Sequence, residues 1–164
     1  MTTPFRDPAE NDGFLRHFYR NWRPTRLARI HNALWAWAAG LGLLPPIVLT
    51  LQTRNQSSGN LNSTVLAPVD HNGQRYLVSM LGHGSQWVQN TRASSGDAFI
   101  KRGRKRRVTL VEIPIAERAP ILKAWCQVAT SGRRHLPVPY NAPVSSFEAI
   151  AENYPVFRID PAES

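Results

Sequence analysis

Along this chain the spacing of apolar residues changes character near Ile47. Before it, residues 14–39 carry apolar, aromatic and basic positions that read as a helical region, broken or kinked near Pro24, where an interior turn would lack its N–H. The run that follows, "ALWAWAAGLGLLPPIVLTL" (33–51), holds no charge over a length that qualifies formally as a membrane span. Gly40 and Gly42 weaken a helix, Pro45 and Pro46 cannot both sit inside one, and the residues after them are β-branched. It is therefore read as a helix of about three turns, a proline break and a buried strand. Residues 1–13 are polar and read as a disordered arm.

From Ile47 onward, short runs of strand character are divided by turn signals: "IVLTLQT", "STVLAPV", "QRYLVSML", two more in "AFIKRGRKRRVTLVEIP" split by Gly103, and a closing "VFRI". Asn72-Gly73 marks a hairpin. Between the hairpins, "GHGSQWVQNTRASSG" (82–96) reads as a glycine-cornered loop opening into a helix, with Ser85 as its N-cap. A proline-containing helix is expected at about 116–130, ended by Gly132, and a short helix with the box Ser145-x-x-Glu148 after it. Six or so short strands with a helix crossing between hairpins predict a mainly β (α+β) domain, a part-closed antiparallel barrel covered by helices. The expected division is an arm at 1–13, an N-terminal helical segment at 14–46 and the β domain at 47–164.

With 164 residues, 42% of them apolar, the chain can bury a real core. Its 20 Lys and Arg against 11 Asp and Glu give a net charge of +9 and favour anionic partners. The single cysteine, Cys126, excludes an intramolecular disulfide and any Cys-based zinc site, and suits a reducing cytoplasm. It falls at helical spacing with Ile115, Ala119, Leu122 and Ala129, as a core thiol would. The five histidines show no metal spacing. The N-terminus has no signal-peptide pattern, so the expected location is cytoplasmic, with peripheral contact at the inner face of the membrane through residues 14–39, whose arginines and tryptophans suit an interface.

The ordered elements "RYLVSMLGHGSQWVQNTRASSGDAFIKRGRKRRVTLVEIP" and a terminal "YPVFRI" resemble the deazaflavin-dependent nitroreductase family, split β-barrel oxidoreductases of the flavin-reductase/FMN-binding type found mainly in actinobacteria. In that family a strand runs into a glycine-bearing loop, then a helix marked Trp-x-x-Asn, here Trp87 and Asn90, then a basic hairpin, here "KRGRKRR". The resemblance covers roughly residues 47–159. It implies a groove for the deazaflavin coenzyme (F-420), with FMN the lesser candidate, and hydride transfer to a small-molecule acceptor of quinone, nitroaromatic or enone type. It implies that Met80, Leu81, Gly82 and His83 run beside the ring or its linker, while Trp87 and Asn90 fix the helix that walls the site. The family's Gly-Arg-Lys-Ser-Gly element, followed three residues later by Arg, holds the phosphate and anionic tail. Its counterpart here is "RNQSSGNLN" (54–62), which keeps Ser58 and Gly59 but carries Asn55, Gln56 and Ser57 in place of Gly, Arg and Lys, and Asn62 in place of Arg. Arg54, Gln56, Ser57, Ser58, Asn62 and Ser63 are thus the candidate phosphate and tail contacts, with Lys101, Arg102 and Arg133 as further sources of charge.

Such a coenzyme does the hard chemistry, so no side-chain nucleophile is required. His83 is the best placed ionisable group to donate to an acceptor oxygen as charge develops, and the Tyr140 and Tyr154 hydroxyls are further candidates from the C-terminal segment. Two alternatives remain open: a non-redox binding protein with the same fold, and a nucleic-acid module built on "KRGRKRR". A basic run on a strand pair more commonly solvates one face, so no nucleic-acid partner is expected.

Overall fold

The structure is a computed structural model and describes residues 19–20, 23–24 and 48–162. Tyr19–Arg20 and Arg23–Pro24 pair as a two-residue antiparallel ladder. The rest of the expected arm and N-terminal helical segment, with its candidate membrane face, lies outside the described residues.

Seven strands form one antiparallel sheet: β1 (Leu49–Arg54), β2 (Leu61–Leu66), β3 (Pro68–His71), β4 (Gln74–Val78), β5 (Asp97–Arg102), β6 (Arg104–Glu112) and β7 (Val156–Pro161). Their order across the sheet is β2-β1-β5-β6-β7-β4-β3. The two edge strands, β2 and β3, are consecutive in the chain and separated by Ala67 alone. One bent stretch of chain therefore joins both edges, and the curled sheet is a split β-barrel, mainly β with a few helices. The continuous run "STVLAPV" conceals this break. Pro68 cannot donate to a ladder and opens an edge strand, where that costs least. At the bend the Trp125 indole N–H donates to the Ala67 carbonyl at 3.0 Å.

The Asn72-Gly73 hairpin forms as expected, with both residues at positive φ (50° and 74°) between β3 and β4. Among the described residues three helices accompany the sheet: α1 (Gln86–Ala93), α2 (Ile115–Val128) and α3 (Val144–Glu148). Three details depart from the sequence pattern. Ser85 sits at the N-cap of α1 but makes no capping bond, because its hydroxyl is engaged with Ser79. In α3 the N-cap is Pro143, two residues too early for a box between Ser145 and Glu148. Pro120 lies in the second turn of α2, and the helix closes at Ala129, ahead of Gly132, which opens a short 3-10 turn.

Alternation along the strands divides the interior into two cores. Leu77 and Phe157 face one with Leu51, Trp87, Val88, Ile100 and Leu110, inside the barrel and under α1. Their neighbours Tyr76, Val78 and Val156 face the other, built on α2 and α3 with Leu122, Trp125, Phe147 and Tyr154. The β4–β7 region is thus buried on both sides, and each such large side chain contributes about 1.5–3 kcal/mol by leaving water. Cys126 lies fully inside the second core, where burial pushes its thiol up to about 11. Among the described residues no helix is long and apolar enough to cross a membrane, and no cluster of three His, Cys, Asp or Glu could hold a metal ion.

Candidate functional site

The chain leaves β4 at Val78 and turns through Ser79–Ser85 into α1. Gly82 takes φ +72°, and a Cβ there would lie 2.9 Å from the Asn153 carbonyl oxygen, so the corner needs glycine to approach the 151–153 turn. The buried Ser79 hydroxyl donates to the Gly82 carbonyl at 2.8 Å. Its single proton is then spent, so Ser85 donates to Ser79 across the 2.8 Å between their hydroxyls.

His83 is held at both ring nitrogens. Nε2 lies 2.7 Å from the Glu152 carbonyl, which can only accept, and Nδ1 lies 3.0 Å from an Arg92 Nη2, which can only donate. These partners assign the neutral tautomer with its proton on Nε2. Arg92 in turn grips Glu112 with two bonds, of 2.8 and 2.6 Å. Glu112 also accepts from Arg118 at 3.0 Å, and Arg118, 5% exposed, donates to the Ile113 and Ala151 carbonyls. The Arg92 hydrogen bond holds the Glu112 carboxyl below its ordinary range, against the pull of burial and with help from the charges of Arg92 and Arg118. Burial lowers Arg118, opposed first by the charge of Glu112. The network ties β6, α1, α2 and the 151–153 turn to the corner, with partners up to 69 positions apart in the chain.

Trp87 and Asn90, three apart on α1, both face inward. Trp87 is 5% exposed and meets Phe157 edge-on at 5.3 Å. Asn90, 1% exposed, donates to the Thr53 hydroxyl on β1 at 3.1 Å and accepts from Gln86. Thr53 stands opposite Asn62 of β2, so Asn90, Thr53, Asn62 and the 55–60 loop share one end of the barrel. In that loop the Asn55 carboxamide oxygen accepts the amides of Ser57 and Ser58, and Arg54 donates to the Gly59 carbonyl at 2.9 Å. The Gln56, Ser57 and Ser58 side chains are exposed. Ser63 accepts from Gln52 on the neighbouring strand.

The remaining candidates lie elsewhere. Lys101 pairs with Thr50, four residues or about 13 Å along β1 from Arg54, and the hairpin tip lies farther still from the 55–60 loop. Met80 packs against the α2–α3 core, as Tyr154 does from within it. The Tyr154 hydroxyl donates to the His135 carbonyl at 2.9 Å, and burial pushes it up to about 12. Tyr140 is 45% exposed, with the Arg133 guanidinium over its ring at 4.2 Å. Leu81 is half-buried beside Gly82. The structure thus gathers Asn62 and Asn90 with the loop, holds His83 in the corner network, and sets Tyr140, Tyr154 and Met80 on the α2 side. Ser79, Arg92, Glu112 and Arg118 carry no motif, and only their pairing in space marks them.

No family model matches the sequence, and no curated protein does. Among solved structures the chain is similar to Atu2129 from Agrobacterium tumefaciens, a protein of unknown function. They share 11% identity over 77% of this chain and 53% of that one, with a TM-score of 0.52. A reductase dependent on reduced coenzyme F-420 aligns at 17% identity over 71% of this chain and 96% of that one, with a TM-score of 0.49. HutZ, a heme storage protein from Vibrio cholerae, aligns at 12% identity over 72% and 83%, with a TM-score of 0.44. At 11% identity the likeness to Atu2129 is one of fold alone, and function has to be argued from the site.

Proposed function

We propose that the protein is a reductase that passes a hydride from the reduced deazaflavin coenzyme to a small organic acceptor of quinone, nitroaromatic or enone type. The observation that carries this reading is the coincidence of motif order and architecture. The strand, glycine corner, Trp-x-x-Asn helix, basic hairpin and closing strand that resemble the deazaflavin-dependent family fall on β4, the 82–85 corner, α1, β5–β6 and β7 of a split barrel. The 55–60 loop fits a phosphate by hydrogen bonding. Its backbone is closed by Asn55 and Arg54, which leaves Gln56, Ser57 and Ser58 turned to solvent as neutral donors. Such bonds are about half as strong as the charge-assisted ones an Arg and a Lys would make.

Bound there, the reduced coenzyme supplies the hydride. The chain's own part is to hold the phosphate and tail through Arg54, Gln56, Ser57, Ser58, Asn62 and Ser63, to fix α1 through Trp87 and Asn90, and to keep the corner rigid through His83 and Ser79. A second reading, a non-redox binding protein on the same barrel, is favoured by one observation: the missing Arg and Lys in 54–62. Titration of the protein with coenzyme F-420 and with FMN, followed by ring fluorescence, separates the two. Preferential binding of the deazaflavin, weakened by salt, is expected because the protein's charge of +9 suits a multiply anionic tail. Tighter binding of FMN overturns the assignment, and binding of neither supports the non-redox reading.

A further inference from the structure

The hairpin Lys101–Arg107 sets six cations around Gly103. Its register places Arg102 directly opposite Arg104 and Lys101 opposite Lys105. Like charges opposed on a ladder destabilise it, so the fold itself gives no reason for them. Among the described residues Arg107 alone of the six has an ion pair, with Asp97 at 2.7 Å, and Lys105 lies over the Phe99 ring at 4.3 Å. Alternation puts Arg106 on the side of Ile100, and Arg102 and Arg104 in the same row beyond it. Three exposed guanidiniums therefore line one side of the hairpin, and the two lysines and Arg107 the other. A second observation concerns where the chain enters the barrel. β1 begins at Leu49 and pairs Thr50 with Lys101, so it starts at the cationic end of the sheet. The sequence that leads there, residues 33–47, has no charged residue and includes Trp35 and Trp37.

We infer that the β5–β6 hairpin is a contact for a membrane surface carrying anionic lipid headgroups. A negative surface attracts clustered Lys and Arg additively, guanidiniums grip phosphates in bidentate fashion, and an uncharged sequence with two tryptophans, such as residues 33–47, suits the interface. Single-stranded nucleic acid fits less well, since its sites interleave cations with open aromatic platforms, and the Phe99 ring is covered by Lys105. The inference stands independently of the coenzyme assignment.

The test is co-sedimentation of the full-length protein with vesicles of phosphatidylcholine containing about 30% phosphatidylglycerol, and with vesicles of phosphatidylcholine alone. Partitioning is expected to be at least about tenfold stronger onto the anionic vesicles and to fall steeply with added salt. Arg102→Ser/Arg104→Ser/Arg106→Ser should weaken it by roughly 100-fold without lowering the melting temperature, because the substitution relieves repulsion. Arg102→Lys/Arg104→Lys/Arg106→Lys should retain most of it. Equal partitioning onto both vesicles, or salt-independent partitioning of the wild type, overturns the inference. Unchanged partitioning of a folded serine variant does so too, as does displacement from the vesicles by a single-stranded oligonucleotide at equal phosphate concentration.

Discussion

The β4–α1 corner and two outer elements, loop 54–62 and the basic hairpin 101–107, use polar residues in opposite ways. At the corner each polar group has a partner: Ser79 and Gly82, Ser85 and Ser79, His83 between Glu152 and Arg92, Glu112 between two arginines. In the loop and the hairpin, by contrast, side chains face solvent and like charges stand opposite one another. Polar groups that satisfy each other specify a fold, here even where His83 and Arg92 are open to solvent, whereas exposed ones without a partner are at the disposal of a ligand. The glycine–histidine–glycine sequence draws the eye toward catalysis, and its hydrogen bonds tie it into the fold, while the side chains of Gln56 and Ser57 stay open to solvent.

The strongest way to break this contrast is to remove the anchor of the corner's helix. Trp87→Ala empties a buried site against Phe157 and should destabilise the protein by roughly 3–5 kcal/mol, with a corresponding fall in melting temperature. An unchanged melting temperature would mean that α1 is not held from within. Next in size is Glu112→Gln, which leaves the buried Arg118 without its carboxylate and should cost about 2 kcal/mol. Acid sharpens this prediction. The folded carboxyl titrates below its ordinary value of 4.5, so its contribution is fully present above that value and is lost as pH falls through the lower, folded one. The stability gap between wild type and Glu112→Gln, measured by denaturant unfolding, should therefore be constant near neutrality and shrink below about pH 4.5. A gap that persists in acid would show that the charge of Glu112 is not what holds the corner.

Much of this division was legible in the sequence, and the limits are physical. Strand alternation and the Asn72-Gly73 turn are local signals, and they locate the strands and the helix after the glycine corner. The split at Ala67 is not local: the apolar run of "STVLAPV" continues through it, and only the pairing of its two halves with β1 and β4 shows a strand leaving one edge for the other. Trp87 and Asn90, three apart, share one helix face, and it is the family resemblance that marks that face as the packed one. Arg92, Glu112 and Arg118 announce nothing, since each is an ordinary surface type whose partner lies distant in the chain or on another element. Tyr140 and Tyr154 look alike in sequence, but one lies under Arg133 at the surface and the other fills the α2 core.

The smallest expected effect on stability carries the most information about function. Gln56→Arg with Ser57→Lys alters two exposed side chains of a loop whose backbone is closed by Asn55 and Arg54, so unfolding should change by no more than about 0.5 kcal/mol. If the coenzyme's phosphate and tail pass this loop, each added charge-assisted bond contributes about 1–2 kcal/mol, and affinity for coenzyme F-420 should rise at least about tenfold at low salt. The gain should shrink at high salt, where exposed charges are screened. The hairpin cannot stand in for the loop at the same phosphate, because Lys101 lies opposite Thr50, about 13 Å along β1 from Arg54. An unchanged affinity in the double variant thus means that no tail lies at the loop. Shortening the coenzyme's glutamate chain then decides where the tail goes: wild-type affinity that falls with each glutamate removed places it on other cations, and wild-type indifference removes the tail from recognition altogether.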